Sequence, residues 1–136
     1  MKIIVCASVS AADEVLDAKR TLESMGHEVE IPTGIKDALL RKRTEVSSEE
    51  KASDKIAHDV IRDYFEKMKR YDAVLIVNPP KRGVEGYIGG NTLIEMAFAH
   101  VLGKKLYALH PLPDLPYASE LLATQPIILS GDLSAI

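Results

Sequence analysis

One carboxylate stands inside an otherwise apolar stretch of this 136-residue chain. Residues Gly86 to His110 read Gly-Tyr-Ile-Gly-Gly-Asn-Thr-Leu-Ile-Glu-Met-Ala-Phe-Ala-His-Val-Leu-Gly-Lys-Lys-Leu-Tyr-Ala-Leu-His. The pattern predicts a glycine-rich loop, an apolar helix with Glu95 in its first turn, a glycine stop and a strand. Leu93, Ile94, Met96, Ala97, Phe98, Ala99, Val101 and Leu102 cover more than one helix face, so the helix is expected to be buried. A carboxylate is seldom buried without a partner, and two chemistries stay open for Glu95. Thr92 and Glu95 have the Thr-x-x-Glu spacing of a capping box, in which each side chain satisfies an orphan backbone donor of the other. Alternatively, Glu95 is a reactive carboxylate at the mouth of a pocket, beside the backbone donors of Gly89, Gly90 and Asn91. The two are compatible, because the helix macrodipole favours the ionised form and an ionised carboxylate can act as a nucleophile.

The elements that must position this carboxylate follow from hydrophobic periodicity. Lys2–Ala7 is a short continuous apolar run, as in a strand buried on both faces of a parallel sheet. Ser8, Val9 and Ser10 turn the chain into a helix over Ala11–Met25, which Ser10 or Asp13 is placed to cap; Gly26 stops it. His27–Pro32 alternates as a second strand, with Val29 and Ile31 inward. Ile35–Arg43 reads as a short helix ending in the basic cluster Arg41–Arg43, and Thr44–Ser53 as a polar connection or solvated helix. In Asp54–Arg70 the residues Ile56, Ala57, Val60, Ile61, Tyr64, Phe65 and Met68 recur at steps of three and four, the mark of an amphipathic helix laid on a sheet, with His58 on its polar face. Tyr71–Asn78 and Lys105–Leu109 are the third and fourth strands, Tyr117–Thr124 a short helix and Gln125–Leu129 a small last strand.

Strands alternating with helices imply right-handed crossovers and a parallel sheet. The expected fold is therefore a single α/β domain, three layers around a doubly wound five-stranded parallel sheet of flavodoxin-like, Rossmann-like order 2-1-3-4-5. Such sheets bind ligands outside the carboxyl ends of their strands, where the order reverses. Ser8 and Ser10 after strand 1, Asn78 after strand 3 and His110 after strand 4 occupy those ends, and the Gly86–Glu95 segment opens onto the same edge.

Composition narrows the partners. A net charge of −3 lacks the basic excess of proteins that bind nucleic-acid polymers or membrane surfaces. The single cysteine, Cys6, lies in an apolar run and reads as a small core residue; no intrachain disulfide and no cysteine-based metal site can form. No signal-peptide layout and no membrane-length apolar stretch is present, so a cytoplasmic location is expected. There is no Walker loop, no Gly-x-Gly-x-x-Gly after the first strand and no His-Glu-x-x-His. A Ser8, His110 and Asp132 triad can be assembled only on paper. Neither cofactor nor metal is called for.

The run Tyr-Asp-Ala-Val-Leu-Ile-Val-Asn, a loop, and then Gly-Gly-Asn-Thr-Leu-Ile-Glu-Met-Ala-Phe-Ala-His-Val-Leu-Gly-Lys-Lys resembles the nucleoside 2-deoxyribosyltransferase family, whose superfamily includes the 2'-deoxynucleoside 5'-monophosphate N-glycosidases. The likeness is carried by Asp59–Leu109, somewhat more than a third of the chain. It implies a small-molecule nucleoside or nucleotide substrate and an N-glycosidic mechanism in which Glu95 attacks the anomeric carbon. It further implies that Asn78 contacts the base, that Asn91 and Thr92 with the amides of Gly89 and Gly90 lie beside the sugar or phosphate, and that Ser8 or Ser10 meets the substrate. His110 is a structural or substrate-contacting residue at the same edge. Family members are typically homo-oligomers that borrow a residue from a neighbour's C-terminal region, here Asp132 or Ser130. Two positions depart from the transferase pattern. Gly89 stands where the transferases carry an acid six residues before their glutamate, and Asn78 replaces a strand-end acid. Those departures fit hydrolysis better than transfer, and they equally suit a non-catalytic nucleotide-binding or regulatory protein of the same fold.

Overall fold

The computed structural model describes residues 1–41 and 59–136. Five strands, Lys2–Cys6 (β1), Glu28–Glu30 (β2), Ala73–Ile76 (β3), Lys105–Ala108 (β4) and Ile127–Ile128 (β5), form one sheet in the order β2-β1-β3-β4-β5. Every pairing is parallel. The predicted α/β topology is the one observed.

Side-chain alternation along the strands divides the core in two. Ile3, Val5, Leu75, Val77 and Tyr107 face one layer, packed by Val15, Ala18 and Leu22 of helix α1 (Ala12–Ser24) and by Ile35 of α2 (Thr33–Arg41). Ile4, Cys6, Val74, Ile76 and Ala108 face the other, packed by Tyr64 and Met68 of α3 (Val60–Met68), by Met96 and Ala99 of α4 (Gly90–Val101) and by Leu121 of α5 (Ala118–Ala123). The parity of β1 therefore turns Cys6 toward α3 and α4, the layer that carries Glu95.

Several local expectations change. Neither Ser10 nor Asp13 caps α1, whose N-cap is Ala11 with no side-chain bond; a 3-10 turn over Val9–Ala11 intervenes, and Ser10 bonds Ser8 instead. The short helix α2 begins at Thr33, two residues earlier than the periodicity suggested. Helix α3 begins at Val60 after Asp59, which takes left-handed backbone (φ 46°). Its apolar stripe is buried only at Tyr64 and Met68, while Val60 and Ile61 stay exposed. The start of that helix expected over 54–58, His58, the cluster residues Lys42 and Arg43, and the 44–53 connection lie outside the described residues. Helix α4 is not buried all round: Thr92, Glu95, Met96 and Ala99 face inward, but Val101 is 78% exposed and Ile94 is exposed too. One stripe at spacings of three and four is enough to seat a helix on a sheet. Among the described residues no helix is long and apolar enough to cross a membrane.

Candidate functional site at the carboxyl edge of the sheet

Register fixes the level of the strand ends. Cys6 pairs with Ile76, and Ile76 with Ala108. Ser8, Asn78 and His110 each follow two residues later, so the topology places all three along one carboxyl edge. The ladder continues past the strands, with Val77 N–H donating to the Cys6 carbonyl at 3.1 Å and Leu109 N–H to the Ile76 carbonyl at 2.9 Å.

Helix α4 enters this edge from the glycine loop. Gly89 is its N-cap, with extended backbone (φ −85°, ψ 177°), and no side chain caps it. The capping box predicted from Thr92 and Glu95 is thus overturned. With its cap at Gly89 rather than Thr92, the helix starts three residues earlier, at Gly90, so Thr92 sits inside the first turn and Glu95 one turn further on. Both side chains fall on the inward stripe, Thr92 at 5% and Glu95 at 7% exposure.

Glu95 has identifiable partners there. The Asn91 carboxamide, four residues earlier, donates from Nδ2 to Glu95 Oε1 at 2.9 Å. The Cys6 thiol, brought up by β1, lies close enough to the same carboxylate to feel its charge. Burial pushes this thiol well above its ordinary pKa, and the Glu95 charge and hydrogen bond add to the shift, against a smaller lowering by the Tyr64 hydroxyl. Cys6 is a neutral donor at physiological pH, without the thiolate character of a reactive cysteine. Tyr64 of α3 completes the group; its hydroxyl donates to the Val5 carbonyl. Burial raises the Tyr64 pKa, with Cys6 and Glu95 contributing. Cys6 and Tyr64 were not among the site residues the sequence singled out. The signal that could have found them is parity: the α3-facing stripe contains Tyr64 and the α4-facing set of β1 contains Cys6.

Asn78 is fully buried, and its amide is committed to backbone. Nδ2 donates to the carbonyls of His110 (3.0 Å), Gly86 (3.3 Å) and Pro111 (3.4 Å), and Oδ1 accepts from the His110 N–H at 3.0 Å. The side chain ties the end of β3 to the end of β4 and to the glycine loop. The amide thus holds the strand ends together.

Gly86 sits where these chains converge. Its φ is +65°, and a Cβ placed on it would lie 2.1 Å from the Pro111 carbonyl oxygen. Left-handed backbone costs a non-glycine residue about 1–2 kcal/mol, and overpacking a tight site adds about 1–3 kcal/mol. Gly86→Ala is accordingly expected to lose about 2–5 kcal/mol in urea unfolding. Gly83, also left-handed (φ +76°) but with nothing within 4 Å of its Cβ position, is the control: Gly83→Ala should show only the backbone part.

Beside this junction lies a cavity of about 290 Å³ lined by Pro80, Glu85, Gly86, His110, Pro111 and Leu112. His110 is thus the one predicted site residue that lines it. A second cavity of about 280 Å³, lined by His100, Lys104, Lys105, Thr124 and others, opens at the opposite, amino end of β4. Glu95 lines neither. The Ser8 and Ser10 hydroxyls bond each other at 2.6 Å. Asp132 accepts from the Ser134 hydroxyl at 2.5 Å and from the Ser134 N–H at 3.0 Å, and the two bonds, the hydroxyl's first, lower its pKa. The on-paper triad therefore finds its serine and its acid each engaged with a neighbouring serine. Among the described residues, no group of three or more histidine, cysteine or acidic side chains is placed to hold a metal ion.

The edge thus gathers a buried carboxylate with neutral donors on it, a pinned loop and an open cavity at the ends of β3 and β4. Searches with this chain find no matching protein-family model, no matching curated protein and no matching solved structure.

Proposed function

We propose that this protein cleaves the N-glycosidic bond of a nucleoside or nucleoside monophosphate, with Glu95 as nucleophile. The observation that carries the reading is the placement of Glu95. It is nearly buried beside the carboxyl end of β1, on the inward stripe of α4, and is hydrogen-bonded by Asn91. The resemblance of 59–109 to the nucleoside 2-deoxyribosyltransferase family supplies the reaction class.

In the proposed chemistry a Glu95 oxygen forms a bond to the anomeric carbon as the carbon–nitrogen bond breaks. The base leaves with that electron pair and takes a proton from solvent or a donor. Water then adds to the glycosyl ester, releasing the sugar and restoring the carboxylate, the covalent logic of retaining glycoside hydrolysis. Glycine at position 89 favours water over a second base as the acceptor.

The nearly closed setting of Glu95 supports a second reading, a nucleotide-binding protein without catalysis. Chromatography of free bases released from a panel of nucleosides and nucleoside monophosphates separates the two. Release of a base from one substrate class is the expected result. No release from any substrate, with thermal stabilisation by a nucleotide, sinks the enzyme and leaves the binding protein.

A further inference from the structure

We propose that Asn91 is a positioning residue for Glu95, its carboxamide holding the carboxylate toward the open end of α4 so that one oxygen meets the sugar. This inference rests on the N-glycosidase reading above. It assigns Asn91 a different role from the sugar or phosphate contact that the resemblance implies.

Helix geometry supplies the argument. Side chains of a helix lean toward its N-terminus, so a residue reaches over the turn that precedes it. Glu95 shares the inward stripe with Thr92, Met96 and Ala99, whose direction is into the sheet. Asn91 is exposed and lies one turn nearer the helix start. A bond of 2.9 Å from its Nδ2 to Oε1 ties the buried carboxylate to the turn nearer the strand ends. Cys6 meets the carboxylate from the last residue of β1, so donors on two different elements restrict its rotation. Both donors are neutral, and neither cancels the negative charge on which nucleophilic attack depends.

A misplaced nucleophile is penalised in the chemical step more than in binding. In base-release kinetics Asn91→Ala should lower kcat by about 10- to 100-fold, with KM nearly unchanged. Asn91→Asp keeps the shape, removes the donor and sets a like charge beside Glu95, and should lose more. Nitrogen–proton NMR of the native protein supplies a readout independent of turnover: one Asn91 side-chain proton should be shifted and slow to exchange, and should lose both properties in Glu95→Ala. Unchanged kcat in Asn91→Ala, or an Asn91 amide proton that exchanges freely in the native protein, would overturn the proposal while leaving the glycosidase intact. A fall in stability with kcat per folded molecule preserved would equally overturn it. A native protein inactive on every substrate would be a failure of the function itself, and the positioning role would fall with it.

Discussion

If the proposed chemistry holds, replacing Glu95 should stop base release while leaving the fold in place. Glu95→Gln conserves volume and keeps an acceptor for the Asn91 and Cys6 donors, but an amide oxygen is too weak a nucleophile to displace a base. The expected loss is roughly 10⁴-fold or more in kcat, which is about 5 kcal/mol of transition-state stabilisation at 1.36 kcal/mol per decade. Stability should fall by no more than about 1–3 kcal/mol, since the carboxamide keeps one acceptor oxygen and removes a buried charge but adds N–H donors where a carboxylate oxygen accepted. The decisive companion measurement is mass spectrometry of rapidly quenched reactions. A sugar adduct on the peptide containing Glu95 is expected in the native enzyme and should be missing in the variant. If Glu95→Gln releases base at the native rate, the carboxylate is structural, and any activity resides elsewhere along the edge.

What the sequence made legible is the scaffold and the address of the carboxylate. Runs such as Lys2–Ala7 and Tyr71–Asn78 are apolar on both faces, so they had to be interior strands, and the helices between them fixed a parallel order. Ser8, Asn78 and His110 could be placed on one edge because strand ends are set by where the apolar runs stop. Partnerships were less legible. The capping box failed because two glycines precede Asn91: Gly89 takes the extended cap conformation that Thr92 was expected to adopt, and the helix gains most of a turn. The Cys6–Glu95 contact joins residues far apart in sequence, and only the sheet brings them together. Burial of α4 was overestimated because apolar residues on all faces do not reveal which face the sheet will choose, and Val101 ended outside.

Asn78 supplies the second large effect. Three carbonyl oxygens, from Gly86, His110 and Pro111, surround Nδ2, whereas a backbone donor, the His110 N–H, meets Oδ1. Those partners fix the orientation of the amide, and they demand a donor. Asn78→Asp would set a carboxylate oxygen against three carbonyls in a fully buried position. The cost is of the order of an uncompensated buried charge, about 3–5 kcal/mol in unfolding free energy at neutral pH. The introduced carboxyl would be harder to ionise in the folded protein than in the unfolded chain, where its pKa is about 3.9. A raised folded pKa means that the folded state holds the proton more tightly. The penalty is therefore smallest near or below pH 4, grows as pH rises through the interval between the two pKa values, and is constant above it. Urea titrations at pH 8 and near pH 4.5 should show the variant recovering a large part of its loss at the acidic pH, since the protonated acid offers one O–H donor to the three carbonyls. Equal stability of Asn78→Asp and the native protein at pH 8 would show that the junction does not need a donor. The amide at this position would then be a choice made by the substrate rather than by the packing of the loop. With the expected loss, the amide at position 78 is a structural requirement of how Gly86 and Pro111 meet, and an acid cannot be placed here without rebuilding that contact.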